Sequence, residues 1–278
     1  MEETKDYEAL PVEQTEVQIV PLDELERANV DVQVSTAKRY PRDMRRSVNN
    51  SIVMATMNEE VARSCGYALP RGGKPVTGPS VHLAKIIVSN WGNMRTEAKV
   101  VQITDKQVIS RGTAWDLENN VASAFEVRRS IVDKYGKRYS DDMITVTGNA
   151  ANAIAYRNAV FAVIPKSITD RIYRAAQQFI TGDLSDNDVL LKKRTKIFAD
   201  FKNTYGIDEN TVVKICGKNT DQQIGADEIA LLVGLLQSLK DGDTTVDEVL
   251  DYVKSPKEKV DDKKAELKNK SGKAPTLL

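Results

Sequence analysis

Three consecutive segments in the middle of the chain, residues 94–104, 107–115 and 121–132, are rich in Val, Ile, Thr and Phe. Short polar stretches at 105–106 and 118–120 separate them. Alternation along the third segment places three apolar residues on one face: Val121, Phe125 and Val127. A two-residue period with short polar connections predicts a three-stranded antiparallel meander.

Helical patterns flank this meander on both sides. Residues 41–65 and 79–90 precede it, and residues 147–164, followed by a further helix to about residue 180, come after it. Hydrophobic residues make up 41% of the chain, which is enough for a buried core. We therefore expect an α+β fold, in which an antiparallel β-meander packs with helices and a small helical unit follows.

The chain divides into five parts by composition. We expect an acidic flexible N-terminal arm (1–34), a core (35–180), a linker (181–188), a small helical C-terminal domain (189–253) and a disordered tail (254–278).

The formal net charge of +0 hides a segregation of the two signs along the chain. Residues 1–37 contain ten acids and two bases, whereas residues 38–180 contain 22 bases and 12 acids. A basic middle that follows an acidic segment is typical of a polyanion-binding module. Arg42, Arg45 and Arg46 crowd the first turn of a predicted helix, where positive charge opposes the helix dipole, so we expect them to face an anion.

Motifs of catalysis are scarce. His82 is the single histidine, which excludes a metal site with two histidines, and no Gly-x-Ser-x-Gly motif occurs. The Arg71–Pro75 loop lacks the first glycine and the Ser/Thr of a phosphate-binding loop. The pair Asp141-Asp142 could belong to a metal-dependent nuclease, but adjacent acids are more often a helix-start feature. We expect a protein that is not an enzyme and holds neither a metal nor a cofactor.

Cations and aromatic groups, the requirements for binding phosphates and stacking bases, occur together between Arg128 and Arg138. Tyr135 lies within this segment, and a solvated hairpin tip is the alternative interpretation. Arg157 lies in an alanine-rich apolar helix, where its guanidinium must either contact a ligand or form a buried ion pair. Both alternatives for Arg157 stay open at this point.

Several short motifs occur in a characteristic order. They are Gly78-Pro79-Ser80-Val81-His82-Leu83-Ala84, Trp91-Gly92-Asn93, Glu126-Val127-Arg128-Arg129, Thr147-Gly148-Asn149-Ala150, Arg157-Asn158-Ala159-Val160-Phe161 and Ile164-Pro165. In this order they resemble the phage-type single-strand DNA annealing proteins, the Erf and RecT-like recombination proteins. The resemblance covers about residues 35–180 and extends more weakly over 190–252.

The resemblance implies an ATP-independent protein that binds single-stranded DNA, anneals complementary strands in homologous recombination and assembles into rings or helical filaments. It implies a bacteriophage protein that acts in the bacterial cytoplasm, with no membrane partner. An exonuclease of the phage or a single-strand-binding protein of the host would contact the C-terminal domain. The expected DNA contacts in the core are Arg45, Arg46, Arg71, Lys74, Arg128, Arg129, Lys137, Arg138, Asn149, Asn152, Arg157 and Asn158.

Two other functions fit parts of the same pattern. A phage structural or assembly protein would use the acidic arm of one subunit to contact the basic core of the next. A nuclease would use Asp141, Asp142 and further carboxylates.

Overall fold

A computed structural model describes residues 22–72, 74–133, 135–182 and 187–254. Within these ranges the chain has an α+β fold with ten α-helices and two antiparallel sheets, which confirms the predicted fold class. The first 21 residues of the expected arm, residues 183–186 of the linker and residues 255–278 of the tail lie outside the described residues.

Helices and strands are numbered in chain order. The helices are α1 (Leu22–Arg39), α2 (Met44–Ala55), α3 (Glu59–Ser64), α4 (Val81–Trp91), α5 (Asp141–Val163), α6 (Lys166–Thr181), α7 (Asn187–Tyr205), α8 (Glu209–Ile215), α9 (Ala226–Asp241) and α10 (Val246–Val253). The strands are β1 (Gly66–Leu69), β2 (Val76–Pro79), β3 (Met94–Ile103), β4 (Gln107–Asp116) and β5 (Val121–Ser130).

The three-stranded sheet is the predicted meander, with strand order β3-β4-β5 and both pairs antiparallel. Each strand begins and ends within two residues of the predicted bounds. The register of the three strands is seen at Gly112 of the central strand, which pairs with Ala98 on β3 and with Phe125 on β5. Facing residues of paired strands lie on the same side of a sheet, so this register defines the composition of each face.

Helix α5 covers one face of the meander, here called the inner face. Ser140 caps the helix, because its side chain accepts a hydrogen bond from the Met143 amide, and Asp141 and Asp142 occupy the first turn as expected for a helix start. A Cβ atom at Gly112 would overlap the Ala155 carbonyl of this helix. Glycine therefore allows the backbones of α5 and β4 to approach closely.

The apolar core lies behind α5. Helices α2, α4 and α6 contribute to it with residues such as Val48, Leu83 and Ile172, and α5 contributes Ala159 and Val160. These side chains are buried, and their loss of exposed apolar surface stabilises the helical layer.

The C-terminal helices share a second core with the first part of the chain. Ala68 of β1 is buried together with residues of α7, α8, α9 and α10. The Ala68 amide donates a hydrogen bond to Ser238 Oγ at 3.1 Å, and Gly234 of α9 lies against the Tyr67 backbone. The helical unit beyond residue 187 therefore packs directly on the β1–β2 hairpin.

Candidate nucleic-acid interface

The second face of the meander, here called the outer face, is opposite to α5. Along β4 the residues Val108, Ser110, Gly112 and Ala114 are buried toward α5. The residues between them point to the outer face, because side chains alternate along a strand. None of those at positions 109, 111, 113 and 115 is fully buried, and α5 is the helix that packs extensively on this sheet within the described residues.

Basic residues from all three strands meet on the outer face. The register pairs Lys99 of β3 directly with Arg111 of β4, and it pairs Arg128 of β5 with Ile109. The four bases of this face are Arg95, Lys99, Arg111 and Arg128. Two acids, Glu97 and Glu126, lie among them.

The direct pairing of Lys99 with Arg111 places two like charges opposite each other, while Glu126 of β5 faces Arg111 from the other neighbouring strand. Like charges that face each other across antiparallel strands destabilise a sheet. Glu97 forms an exposed ion pair with Lys99 at 3.0 Å, whereas no carboxylate of the described residues lies within 4.0 Å of the Arg111 guanidinium. A bound phosphate would relieve this repulsion, because it supplies negative charge between the two cations.

Further cations lie at one end of the sheet. The Arg138 guanidinium donates hydrogen bonds to the carbonyl oxygens of Thr104 and Asp105, at 2.9 and 3.1 Å, and the Ile131 amide donates to the Lys106 carbonyl at 2.9 Å. These bonds join the β3–β4 turn to residues 131–138. The exposed side chains of Lys106 and Lys137 are thereby brought to the end of the meander where Arg128 lies.

Two aromatic side chains accompany these cations. Trp115 lies on the outer face opposite Arg95, and its indole Nε1 donates a hydrogen bond to Asn120 at 3.2 Å. Tyr135, in the turn at the end of the sheet, is 56% exposed. Trp115 is half-buried. Accessible aromatic rings beside cations are the combination that binds single-stranded nucleic acid, since bases stack on the rings and phosphates contact the cations.

Arg128, Lys137 and Arg138 are thus the residues predicted from the sequence that the structure brings together in this interface. Arg138 also has a structural role, because two of its hydrogen bonds hold the neighbouring turn.

Arg129 and Arg157 lie away from the outer face. Arg129 points to the inner face, where its guanidinium donates a hydrogen bond to the Asp243 carbonyl at 2.9 Å. Arg157 is 6% exposed, its Nη1 lies 3.5 Å from Asp243 Oδ2, and its guanidinium lies 4.0 Å from the centre of the Tyr67 ring. Of the two alternatives for Arg157, the structure contains the buried ion pair.

The buried environment changes the pKa and the hydrogen bonding of the Asp243 carboxyl group. Burial raises its pKa, and the Arg157 guanidinium opposes the rise without cancelling it. Asp243 Oδ1 is buried and has no hydrogen-bond partner among the described residues. The buried contact between Arg157 and Asp243 therefore carries a desolvation penalty, because both charged groups have lost their water.

Arg71 lies in acidic surroundings. It lines a cavity of about 440 Å³ together with Asp243, Glu248 and Asp251. Lys74 is exposed in the same β1–β2 loop. Three carboxylates around this cavity disfavour a DNA backbone there.

The arginines at the start of α2 separate into two groups. Arg42 faces an internal anion, because its guanidinium contacts Asp116 and Glu118 and lies 4.8 Å from the centre of the Trp91 ring. Burial alone would raise the pKa of Glu118, but hydrogen bonds from Arg42 and Asn93 lower it below its ordinary value. Arg45 and Arg46 are exposed in the first turn of α2.

The three asparagines of α5 are not part of the outer face. Asn149 is exposed, while Asn152 and Asn158 are half-buried on the helix that covers the inner face. Asn152 Oδ1 is buried without a hydrogen-bond partner among the described residues.

Sequence reasoning missed Arg95, Lys99, Lys106, Arg111 and Trp115. The signal was present, since the two-residue period that predicts the strands also places Arg111 and Trp115 opposite the apolar positions of β4.

No known protein family, curated protein or solved structure matches this chain. None of the helices in the described ranges combines the length and the apolar character needed to cross a bilayer. The same residues contain no group of three His, Cys, Asp or Glu side chains placed to hold a metal ion.

Proposed function

We propose that this protein is an ATP-independent single-stranded DNA binding and annealing protein of homologous recombination, of bacteriophage origin, which acts as a homo-oligomer in the cytoplasm of the bacterial host. The observation that carries the proposal is the open outer face of the meander. Lys99 and Arg111 face each other there, and Arg95, Arg128 and Trp115 lie on the same surface.

The interface suits a single strand better than a duplex. A sheet face with cations and an aromatic ring binds phosphates electrostatically and bases by stacking, neither of which depends on sequence. Direct reading of duplex DNA usually requires a helix or ribbon that enters the major groove. On the outer face, the side chains extend from a sheet whose opposite side is occupied by α5.

Annealing requires no nucleotide cofactor in this mechanism. Stacked base pairs contribute about 1.4 kcal/mol per step, which drives the joining of two complementary strands. The protein has to neutralise part of the repulsion between the two backbones and to hold one strand with its bases accessible. The meander followed by the long helix α5 supports the proposal, because the resemblance to annealing proteins implies a fold of a β-meander plus helices.

The direct test is an annealing assay with two complementary fluorescent oligonucleotides, in the presence of EDTA and in the absence of ATP. We expect the protein to accelerate annealing, and we expect it to leave the oligonucleotides intact when Mg²⁺ is added. Absence of both binding and annealing, combined with salt-sensitive self-association, would instead favour the structural or assembly protein. Degradation that depends on Mg²⁺ would favour the nuclease.

A further inference from the structure

The first half of helix α1 is exposed from Glu24 to Asn29. Two apolar side chains in this helix, Leu25 and Val32, are 51% and 65% exposed. Leu25 and Val32 are seven residues apart and share one face of the helix. Glu24 and Asp31, which are also seven residues apart, lie beside this apolar stripe and are exposed.

The end of α1 is fixed to the body of the protein. Ala37 is buried, and Asn93 donates a hydrogen bond to the Tyr40 carbonyl at 2.9 Å. The Arg42 amide and guanidinium both donate to Glu118, each at 3.0 Å. These contacts hold residues 37–42, where α1 ends, against the body of the protein.

A basic groove lies between α2 and α6. It has a volume of about 610 Å³, and Ile52 of α2 lies in it together with Arg171 and Arg174 of α6. Both arginines are exposed, and within the described ranges no carboxylate lies within 4.0 Å of either guanidinium. Asp170, which also lines the groove, is already paired with Lys166 at 2.6 Å.

Helix α2 carries the same mixture of groups next to Ile52, its one residue in the groove lining. Arg45 lies seven residues before Ile52 and shares its side of the helix. Val53, which follows Ile52, is 63% exposed. The groove therefore combines apolar side chains with uncompensated positive charge, whereas α1 combines apolar side chains with negative charge.

We infer that α1 of one copy docks in the α2–α6 groove of a second copy of this chain. Leu25 and Val32 would cover Ile52 and Val53, while Glu24 and Asp31 would lie beside the groove arginines. The helix and the groove are different surfaces of the protein. Each subunit can therefore bind one neighbour through its α1 and another through its groove. Such a heterologous contact produces a closed ring or an open filament according to its rotation.

This contact is independent of the proposed DNA binding, because the outer face of the meander takes no part in it. It assigns to a subunit interface the residue Arg45, which the sequence analysis placed among the DNA contacts.

A charge-swap experiment tests the contact without DNA. Light scattering after size-exclusion chromatography would give the mass of the wild-type protein, of E24K/D31K, of R171E/R174E and of the combination of all four changes. We expect the wild type to form multimers and each double variant to dissociate on the order of tenfold more readily, since like charges then face each other. The combination should restore assembly, because the opposite signs meet again.

The matched control is K192E/K202E on α7, which reverses two exposed cations outside the groove. It should leave the mass distribution unchanged. The inference is overturned if the wild type is a monomer, if either double variant assembles normally, or if the fourfold variant stays dissociated. All four side chains are exposed, so circular dichroism should show unchanged folding in each variant.

Discussion

The guanidinium of Arg157 lies 3.5 Å from the carboxyl group of Asp243, and this buried contact joins α5 to the segment that follows α9. Arg129 donates to the carbonyl of the same Asp243. The C-terminal helical unit is therefore connected to the meander and to its covering helix through one aspartate. Removal of this unit would leave both arginines without that partner.

Substitution of Arg157 by Ala should lower the free energy of unfolding by about 3–5 kcal/mol, because it leaves the buried Asp243 without its cation. Arg128→Ala is the matched control, since Arg128 is exposed on the neighbouring strand, and it should change stability by less than about 0.5 kcal/mol. Urea denaturation of both variants measures the difference. Equal and small effects would show that Arg157 is not a structural residue.

The pH dependence of stability should report on Asp243. Burial raises its folded-state pKa above the ordinary value of 3.8, so the folded protein holds this proton more tightly than the unfolded chain. The stability that the raised pKa of Asp243 contributes is fully present below pH 3.8 and is lost as the pH rises through the folded-state pKa. Asp243→Asn cannot titrate, so the stability advantage of the wild type over this variant should shrink as the pH increases from about 4. Unfolding free energies measured across this range test the sign, and an advantage that grows with pH would contradict it.

Close packing of α5 on the sheet should make Gly112 intolerant of any side chain. Gly112→Ala would force a Cβ atom into the Ala155 carbonyl, and we expect a loss of about 3 kcal/mol of stability. Gly148→Ala is the control on α5. Its Cβ would meet the Val100 side chain at 3.3 Å, where a small adjustment suffices, and alanine favours a helix over glycine. Thermal unfolding of the two variants should therefore differ clearly in midpoint.

Tryptophan fluorescence should distinguish the outer face from the core. The chain contains two tryptophans. Trp91 is 4% exposed and lies beside Arg42, whereas Trp115 is on the outer face. If bases stack on Trp115, an oligonucleotide of thymidines should quench the wild-type emission, and Trp115→Phe should lose the quenching. Quenching that persists in this variant would place the DNA elsewhere.

The strands were predictable from the sequence because their signal is local. Alternating residues and short polar turns determined the bounds of β3, β4 and β5 to within two residues. The same alternation also predicts which residues of β4 lie on the outer face. Arg111 and Trp115 do not belong to a cluster along the chain, because they meet Lys99 and Arg95 only through the register of the strands.

Other features depend on local capping or on distant partners. The predicted helix over 41–65 is divided, because the Asn58 side chain accepts a hydrogen bond from the Val61 amide and starts α3. Residues 66–78 are rich in Gly and Pro, which is typical of a loop, but they include most of the β1–β2 hairpin, whose first strand packs on α9. Residues 22–34, assigned to the arm, lie within α1. The partner of Arg157 is 86 residues away, and no spacing rule relates the two.

The salt dependence of single-stranded DNA binding tests the central claim most directly. Fluorescence anisotropy with a labelled oligonucleotide would give the affinity of the wild type and of K99A/R111A/R128A over a range of salt concentrations. Each lost phosphate contact reduces the log–log slope by about 0.7, so we expect the triple variant to bind more weakly and with a slope shallower by about 2. The control K192A/K202A, on α7, should retain the wild-type slope. A wild-type affinity that does not respond to salt, or a triple variant with an unchanged slope, would contradict a DNA interface on the outer face of the meander.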